Sequence, residues 1–316
     1  MSNRVFEKKE MNKKNALVIG TPGNIDIKKS VALAVLKMES SFVVTDPSGE
    51  VLRDTKEKLL ENGYKVKVMD LKNMEHSCGY NPLSYIKDVK SASSMIDCML
   101  HATSGEEKGE FWLKAEKLLY SACIMYLLEN CKEENKKNMG GVLELVKDVY
   151  NKTADGPMVT DLLYQELPKD CMAAKLYKAF TQAAGKTKKE IAVSCEERIT
   201  RYLGKVLDFT KKDELDLEKI GKEKTVLFII PDTSDAASAT LTSLVYTQAA
   251  DVLCRQREAD DNERAAEEIP VELIIDGMTG CNLELDVWMK KMVELQEYNV
   301  TVTTILYPDI TNCGVK

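Results

Sequence analysis

The chain has 316 residues, 44% of them hydrophobic and 30% charged, with a formal net charge of -7 and a pI near 5.3. These values suit a globular protein with room for two domains, and the acidic balance argues against a surface dominated by nucleic acid, which makes a domain basic. No stretch approaches the ~18 consecutive apolar residues of a membrane span.

Met1 to Lys14 is polar and basic, has no apolar signal-peptide core, and reads as a short disordered lead. Ala16–Ile19 reads as a strand. Lys28–Met38 has helical spacing, with Val31, Val35 and Met38 on one face. Phe42–Asp46 is a second strand, Val51–Asn62 a helix ended by Gly63, and Tyr64–Met69 a third strand. Strands alternating with helices imply right-handed crossovers and a parallel sheet.

From about Val89 to Asp216 the strand signals vanish. Phe111–Asn130 carries a stripe of Phe111, Ala115, Leu118, Leu119, Ala122, Met125 and Tyr126. Gly140–Tyr150, Thr160–Leu167, Met172–Ala184 and Lys188–Thr210 also read as helices, with loops at Gly105–Gly109 and Asn151–Pro157. The sheet then resumes. Thr225–Ile230 is a strand, Ser238–Arg257 a helix, and Ala259–Glu268 a charged linker or helix end. Val271–Ile275 is a strand, Glu284–Tyr298 a helix, and Val300–Leu306 a last strand. The expected architecture is α/β: a parallel-sheet domain of residues 1–92 and 216–316, split by an all-α insertion of residues 93–215. Nine cysteines without CxxC pairs, and only His76 and His101, give a metal centre little to draw on. The dispersed cysteines read as reduced thiols in a cytoplasm-like compartment.

Six segments stand out in order: Phe42-Val43-Val44-Thr45-Asp46-Pro47-Ser48-Gly49-Glu50, Tyr80-Asn81-Pro82-Leu83, Lys108-Gly109-Glu110-Phe111-Trp112, Gln182-Ala183-Ala184-Gly185-Lys186-Thr187, Ile230-Pro231-Asp232-Thr233 and Leu244-Val245-Tyr246-Thr247-Gln248. The first resembles the "FVVTDPKGE" segment of the TraG/TraD-type conjugative coupling proteins, and the others keep that family's order over nearly the whole chain. These are the ATPases of type IV secretion that bring DNA and relaxase to the transfer channel. The resemblance implies a RecA-like nucleotide-binding-type domain with helices on both faces of its sheet, carrying an all-α domain that docks relaxase or other transfer substrates. The family also has N-terminal membrane helices, and continues into further sheet where this chain ends near Leu306–Lys316. The chain therefore reads as a trimmed or naturally short form.

Against this resemblance, the loops that should carry the chemistry hold different residues. A phosphate loop needs G-x-x-x-x-G-K-[ST]: backbone amides cradle phosphates, the lysine reaches the β/γ-phosphates and the hydroxyl binds Mg²⁺. Anchoring on Lys29-Ser30 makes Gly23 the first glycine and puts Lys28 at the second. Anchoring on Gly20 and on Met38-Glu39-Ser40-Ser41-Phe42 needs no gap and is favoured; it places Asn24-Ile25-Asp26-Ile27 over the family's "SGKT". Asp26 then replaces the lysine and Ile27 the hydroxyl, so like-charge repulsion opposes phosphate. Ile25 puts a β-branched side chain where backbone should approach phosphate closely. A plain strand-to-helix turn at Gly20–Ile27 is favoured over a working phosphate site.

Asp276 matches the Walker B aspartate that helps hold Mg²⁺, but the glutamate expected next, which activates water, is Gly277. Tyr307 stands where the resembling "IILQ" has its γ-phosphate-sensing glutamine. No catalytic residue is assigned with conviction. The nucleotide-binding candidates are Gly20, Gly23, Lys29, Ser30, Asp46 and Glu50, and Asp276 and Ser30 are the candidate Mg²⁺ ligands. Asp46 could face the pocket or cap its own Pro47-Ser48-Gly49 turn. Arg198 and Arg201 are candidates for an arginine finger, with two solvated arginines the simpler expectation. Lys186-Thr187-Lys188-Lys189 is expected on a solvated face, and Phe111 and Trp112 in the core.

The leading expectation is a cytoplasmic module, related to proteins anchored at the inner face of the plasma membrane, that lacks ATPase activity. It would act by protein interaction with relaxosome or secretion-channel components through the all-α domain. No cofactor is expected. The alternative is an active ATP-dependent DNA or protein translocation motor, using ATP and Mg²⁺ at Lys29 and Ser30 in a lengthened loop. A third is that the loops are engineered or decayed. Whether the chain is an enzyme stays open. DNA binding has no electrostatic footprint to point at. The family forms hexameric rings, but a monomer or weak dimer is expected without nucleotide at the interfaces.

Overall fold

The computed structural model describes residues 15–21, 23–103, 109–154, 156–259, 269–277 and 285–307. Strands β1 (Ala16–Ile19), β2 (Ser41–Thr45), β3 (Lys65–Asp70), β4 (Thr225–Ile230), β5 (Val271–Asp276) and β6 (Val300–Leu306) form one sheet. Its order is β1-β6-β5-β2-β4-β3, and every pairing is parallel. The inner strands β2 and β4 are buried at every residue. This is why SFVVT and TVLFII read as unbroken apolar runs: a parallel strand is covered on both faces. At the edge, β1 alternates, leaving Ile19 69% exposed.

Helices α1 (Ile25–Val35) and α2 (Glu50–Glu61) cover one face. Val31, Val35, Val51 and Leu59 from these helices join Phe42, Val44, Val226, Phe228, Ile274 and Ile305 of the sheet in one buried cluster. Thr304, which alternates with Ile305 along β6, donates to Met292 Sδ on α10 (Leu285–Glu297), so α10 lies on the opposite face. The expected helix start at Lys28 moves back to Ile25, because Asn24 caps the helix there.

Residues 1–78, 215–234 and 249–316 make up the sheet unit, and residues 79–214 with 235–248 a helical unit. The boundary expected at 92/93 falls inside α3 (Val89–Ala102), a helix the sequence reading did not assign. Its buried residues Ala92, Met95, Ile96, Met99 and Leu100 keep helical spacing, and Asp88 with Ser91 forms a capping box at its start. Then follow α4 (Glu110–Glu129), α5 (Met139–Asp148), α6 (Val159–Gln165), α7 (Met172–Ala184) and α8 (Lys188–Leu203). The helix expected to run to Thr210 breaks after Leu203 into short 3₁₀ turns, Gly204–Val206 and Phe209–Lys211. Helix α9 (Ala236–Ala259) belongs to the helical unit as far as Gln248. The reason lies in its last residue there. Gln248 accepts from the fully buried Tyr80 hydroxyl at 2.5 Å and donates to Pro82 O at 2.8 Å. Two of the six recognisable segments, far apart in sequence, thus satisfy each other's buried polar groups.

Two expectations for the helical unit need correction. Phe111 is 49% exposed rather than core; it lies in the first turn of α4, ahead of the first buried residue, Ala115. Arg198 is neither a solvated arginine nor a finger, since it is buried at 6% exposure. Its Nη2 donates to Glu116 Oε2 at 3.0 Å, and its Nη1 donates to Thr103 O at 2.9 Å and Thr103 Oγ1 at 2.6 Å. Ser194 donates to the other Glu116 oxygen at 2.5 Å. Two charges buried together with their hydrogen bonds are tolerable; one left alone is not. Arg201 lies exposed, with its guanidinium 5.4 Å from the Tyr202 ring centroid. Gly105–Lys108 of the expected loop and most of Ala259–Glu268 lie outside the described residues. Among the described residues no helix is long and apolar enough to cross a membrane.

Glu116→Gln leaves the Arg198 charge buried and unpaired, and is expected to cost about 3–5 kcal/mol in urea unfolding. The double change Glu116→Leu with Arg198→Met should recover most of that loss. A single-variant cost below about 1 kcal/mol, the worth of a surface pair, would contradict this reading.

Candidate functional site

In an open parallel sheet, ligands bind beyond the carboxyl ends of the strands. Here the ends of β1, β6, β5 and β2 stand side by side and present Gly20, Tyr307, Asp276 with Gly277, and Asp46. Backbone bonds carry the ladder past the strand ends: Gly20 N to Leu306 O at 3.0 Å, Gly277 N to Ile305 O at 3.1 Å, and Asp46 N to Ile229 O at 2.8 Å. The sequence candidates at these strand ends are therefore brought together.

The loop after β1 turns through Gly23, whose φ of 76° lies in the left-handed region open to glycine. Asn24 then adopts an extended conformation and caps α1. Its Oδ1 accepts from Asp26 N at 2.9 Å and from Ile27 N at 3.4 Å. First-turn amides are what a helix offers to an anion, and here a side chain from the same loop holds them. Ile27 packs against the buried cluster and lies so close over Gly20 that a Cβ there would clash. Asp26 stays exposed in the first turn, where a carboxylate favours the helix dipole. Ser30 donates to Asp26 O at 2.8 Å, an intrahelical bond. Exposed Lys29 lines the groove between α1 and α2 with Ile25, Ala32, Leu33 and Asp54. Among the described residues the hydrogen bond printed for the Asp276 carboxylate comes from Tyr307, and Ser30 is engaged with Asp26 O.

Asp276 ends β5, 9% exposed, and accepts a short hydrogen bond from the Tyr307 hydroxyl. Burial raises the Asp276 pKa above the ordinary carboxylate value. The Tyr307 bond opposes that rise, the Asp46 charge adds to it, and Lys28 again opposes it. Burial and the adjoining carboxylate push the Tyr307 hydroxyl well above the usual tyrosine range, so it acts as a donor and not as a base. The Tyr307 ring packs beside Gly277, whose φ is 79°; a Cβ there would lie 3.6 Å from ring Cε2. A glutamate at this position would need that strained backbone.

Asp46, 2% exposed, serves its own turn. Its Oδ2 accepts from Leu52 N at 2.8 Å, its Oδ1 from Ser48 Oγ at 3.4 Å, and its carbonyl from Gly49 N at 3.1 Å. Burial raises its pKa, and these bonds offset part of the rise. Glu50 pairs with Lys28 at 2.9 Å; that bond and the lysine charge lower its pKa. Sequence reasoning passed over both Lys28 and the capping role of Asn24. The signal for the latter was present, since Asn directly before a helical run is a strong N-cap candidate.

These residues do not fit a nucleoside triphosphate and its metal. The amides of Asp26 and Ile27 are engaged by Asn24, Lys28 is paired with Glu50, and the Walker-type carboxylate holds a phenol. Among the described residues the charges acting on Asp276 are those of Asp46 and Lys28. A buried carboxylate with a raised pKa could accept or hold a proton, but Gly277 offers no base beside it.

Comparison with known proteins agrees with the fold. The unbound coupling protein TrwB of bacterial conjugation superposes with a TM-score of 0.61 at 14% identity, covering 94% of this chain and 63% of that one. Plasmid coupling protein TrwB in complex with ADP and Mg²⁺ gives 0.58 at 14% identity, covering 94% and 65%. VirB4 of Thermoanaerobacter pseudethanolicus gives 0.50 at 12% identity, covering 95% and 72%. The chain thus spans a little under two thirds of the length of the TrwB structures. No curated protein matches the sequence. Residues 9–308 match the family of type IV secretory system conjugative DNA transfer. With that match over nearly its whole length, and with the RecA-like sheet of TrwB, this chain belongs to the type IV secretory system conjugative DNA transfer family.

Proposed function

We propose that this chain is a coupling-protein module that does not hydrolyse ATP and acts on the cytoplasmic side of the membrane by protein interaction. The observation that carries the reading is the closure of the nucleotide position by the chain's own groups: Asn24 on the loop amides, Ile27 over Gly20, and Tyr307 on Asp276. TrwB has been solved with ADP and Mg²⁺; a chain that fills the corresponding strand ends with side chains keeps the scaffold and not the reaction. The helical unit is the part proposed to meet relaxosome or secretion-channel proteins, since it retains the recognisable segments from Tyr80 to Thr187. A monomer or weak dimer is the proposed state, because no nucleotide would be present to bridge subunits.

Titration calorimetry of the purified chain with millimolar ATP and Mg²⁺ should give no binding heat. Micromolar, Mg²⁺-dependent binding would overturn the proposal.

Tyr307→Phe should destabilise the fold by about 1–3 kcal/mol, because Asp276 loses its donor while remaining buried. Unchanged denaturation midpoints would mean the contact is not formed.

The raised pKa of Asp276 gives a signed pH effect. The folded state binds this proton more tightly than the unfolded chain, so the contribution favours folding at low pH. It is lost as pH rises through the raised value. Asp276→Asn should therefore be more stable than the natural chain at neutral pH, with the gap closing below about pH 3.9, the unperturbed carboxylate value. A gap that widens toward acid would show the opposite sign.

A further inference from the structure

The helical unit carries a groove of about 540 Å³ formed by α6, the loop after it and α7. Tyr164 and Tyr177 stack within it, their ring centroids 4.0 Å apart and their planes within 7° of parallel. Leu167 and Ala174 extend the apolar wall, and both tyrosines are largely buried. The rim is different. Lys169 on the loop and Lys175 and Lys178 on α7 line the groove with exposed side chains. Lys175 and Lys178 are three residues apart on a helix and so project to the same side. Among the described residues none of these three lysines has a carboxylate partner. The one acid in the groove, Asp161, is already neutralised. Lys188 donates to its two oxygens at 2.7 Å and 3.0 Å, and the Tyr177 hydroxyl donates to it at 2.7 Å.

An apolar wall edged by three lysines without a carboxylate partner among the described residues is matched by an acidic occupant with an apolar side chain. We propose that this groove docks an acidic peptide segment of a partner protein. Carboxylates of the segment meet Lys169, Lys175 and Lys178, and an apolar side chain lies against Leu167 and Ala174. A nucleic acid fits less well. The two rings are buried and stacked on each other, leaving no open face for a base, and a phosphate chain leaves the apolar wall of Leu167 and Ala174 unfilled. The proposal rests on the reading that the helical unit binds proteins, and gives the chemistry of the partner.

The test uses the full chain and a fluorescein-labelled peptide of alternating Glu and Leu, followed by anisotropy. The natural chain should bind it, and should bind more weakly as salt rises. Lys169→Glu, Lys175→Glu and Lys178→Glu together should weaken binding about tenfold or more. The lysines are exposed, so the fold should survive, which circular dichroism verifies. A Lys/Leu peptide should instead prefer the reversed chain. Reversal of Lys186 and Lys189, which lie outside the groove, should leave the Glu/Leu peptide bound. The proposal is overturned by no binding, by equal binding to the reversed chain, or by a single-stranded oligonucleotide that displaces the peptide from the same lysines. Capture of a secretion-channel protein by the natural and reversed chains alike would sink the groove and leave the protein-interaction reading standing. Mg²⁺-dependent ATP binding would count against that reading and leave the groove result intact.

Discussion

A parallel sheet covered on both faces imposes the constraint on which the remainder of this molecule depends. Each strand must return through a crossover on a covering layer, so all strands leave the sheet at the same edge. Gly20, Asp46, Asp276 and Tyr307, distant in sequence, are thereby collected along one line of strand ends. The apolar cluster under α1 and α2 fixes this line, because a slip of one residue would turn Phe42, Val44 and Phe228 to the other face. The site is a consequence of the core beneath it.

At that edge the polar groups are held by partners from within the chain. A phosphate-binding turn leaves amides bare for an anion; here Asn24 caps them, as at any ordinary helix start. A metal-binding carboxylate must stay open to water and ion; here Tyr307 holds it and burial favours its protonated form. In both places a side chain of the chain itself satisfies the polar group. A buried donor or acceptor left without partner is costly, so a fold without its ligand is more stable when such internal partners are supplied.

The helical unit follows the same principle. Glu116 and Arg198 neutralise each other inside it, with Ser194 and Thr103 completing much of their hydrogen bonding. Tyr80 and Gln248 do so for two further segments. The α6–α7 groove, where Lys169, Lys175 and Lys178 have no carboxylate partner among the described residues, stands outside this pattern.

The strands were legible in the sequence because doubly covered strands are continuous apolar runs of β-branched residues, and most helices because their stripes repeat every three to four residues. Helix α3 was missed although Ala92, Met95, Ile96, Met99 and Leu100 keep the stripe; its serines weaken the local signal. The six ordered segments pointed to the family, and the residues at Asp26, Gly277 and Tyr307 to altered chemistry. Local composition could not say what those residues touch. That Tyr307 meets Asp276, that Lys28 pairs with Glu50, and that Arg198 is buried against Glu116 are outcomes of packing. Periodicity reports which face of an element is covered; the partner of a side chain depends on elements far away in the chain, and only the tertiary structure decides it.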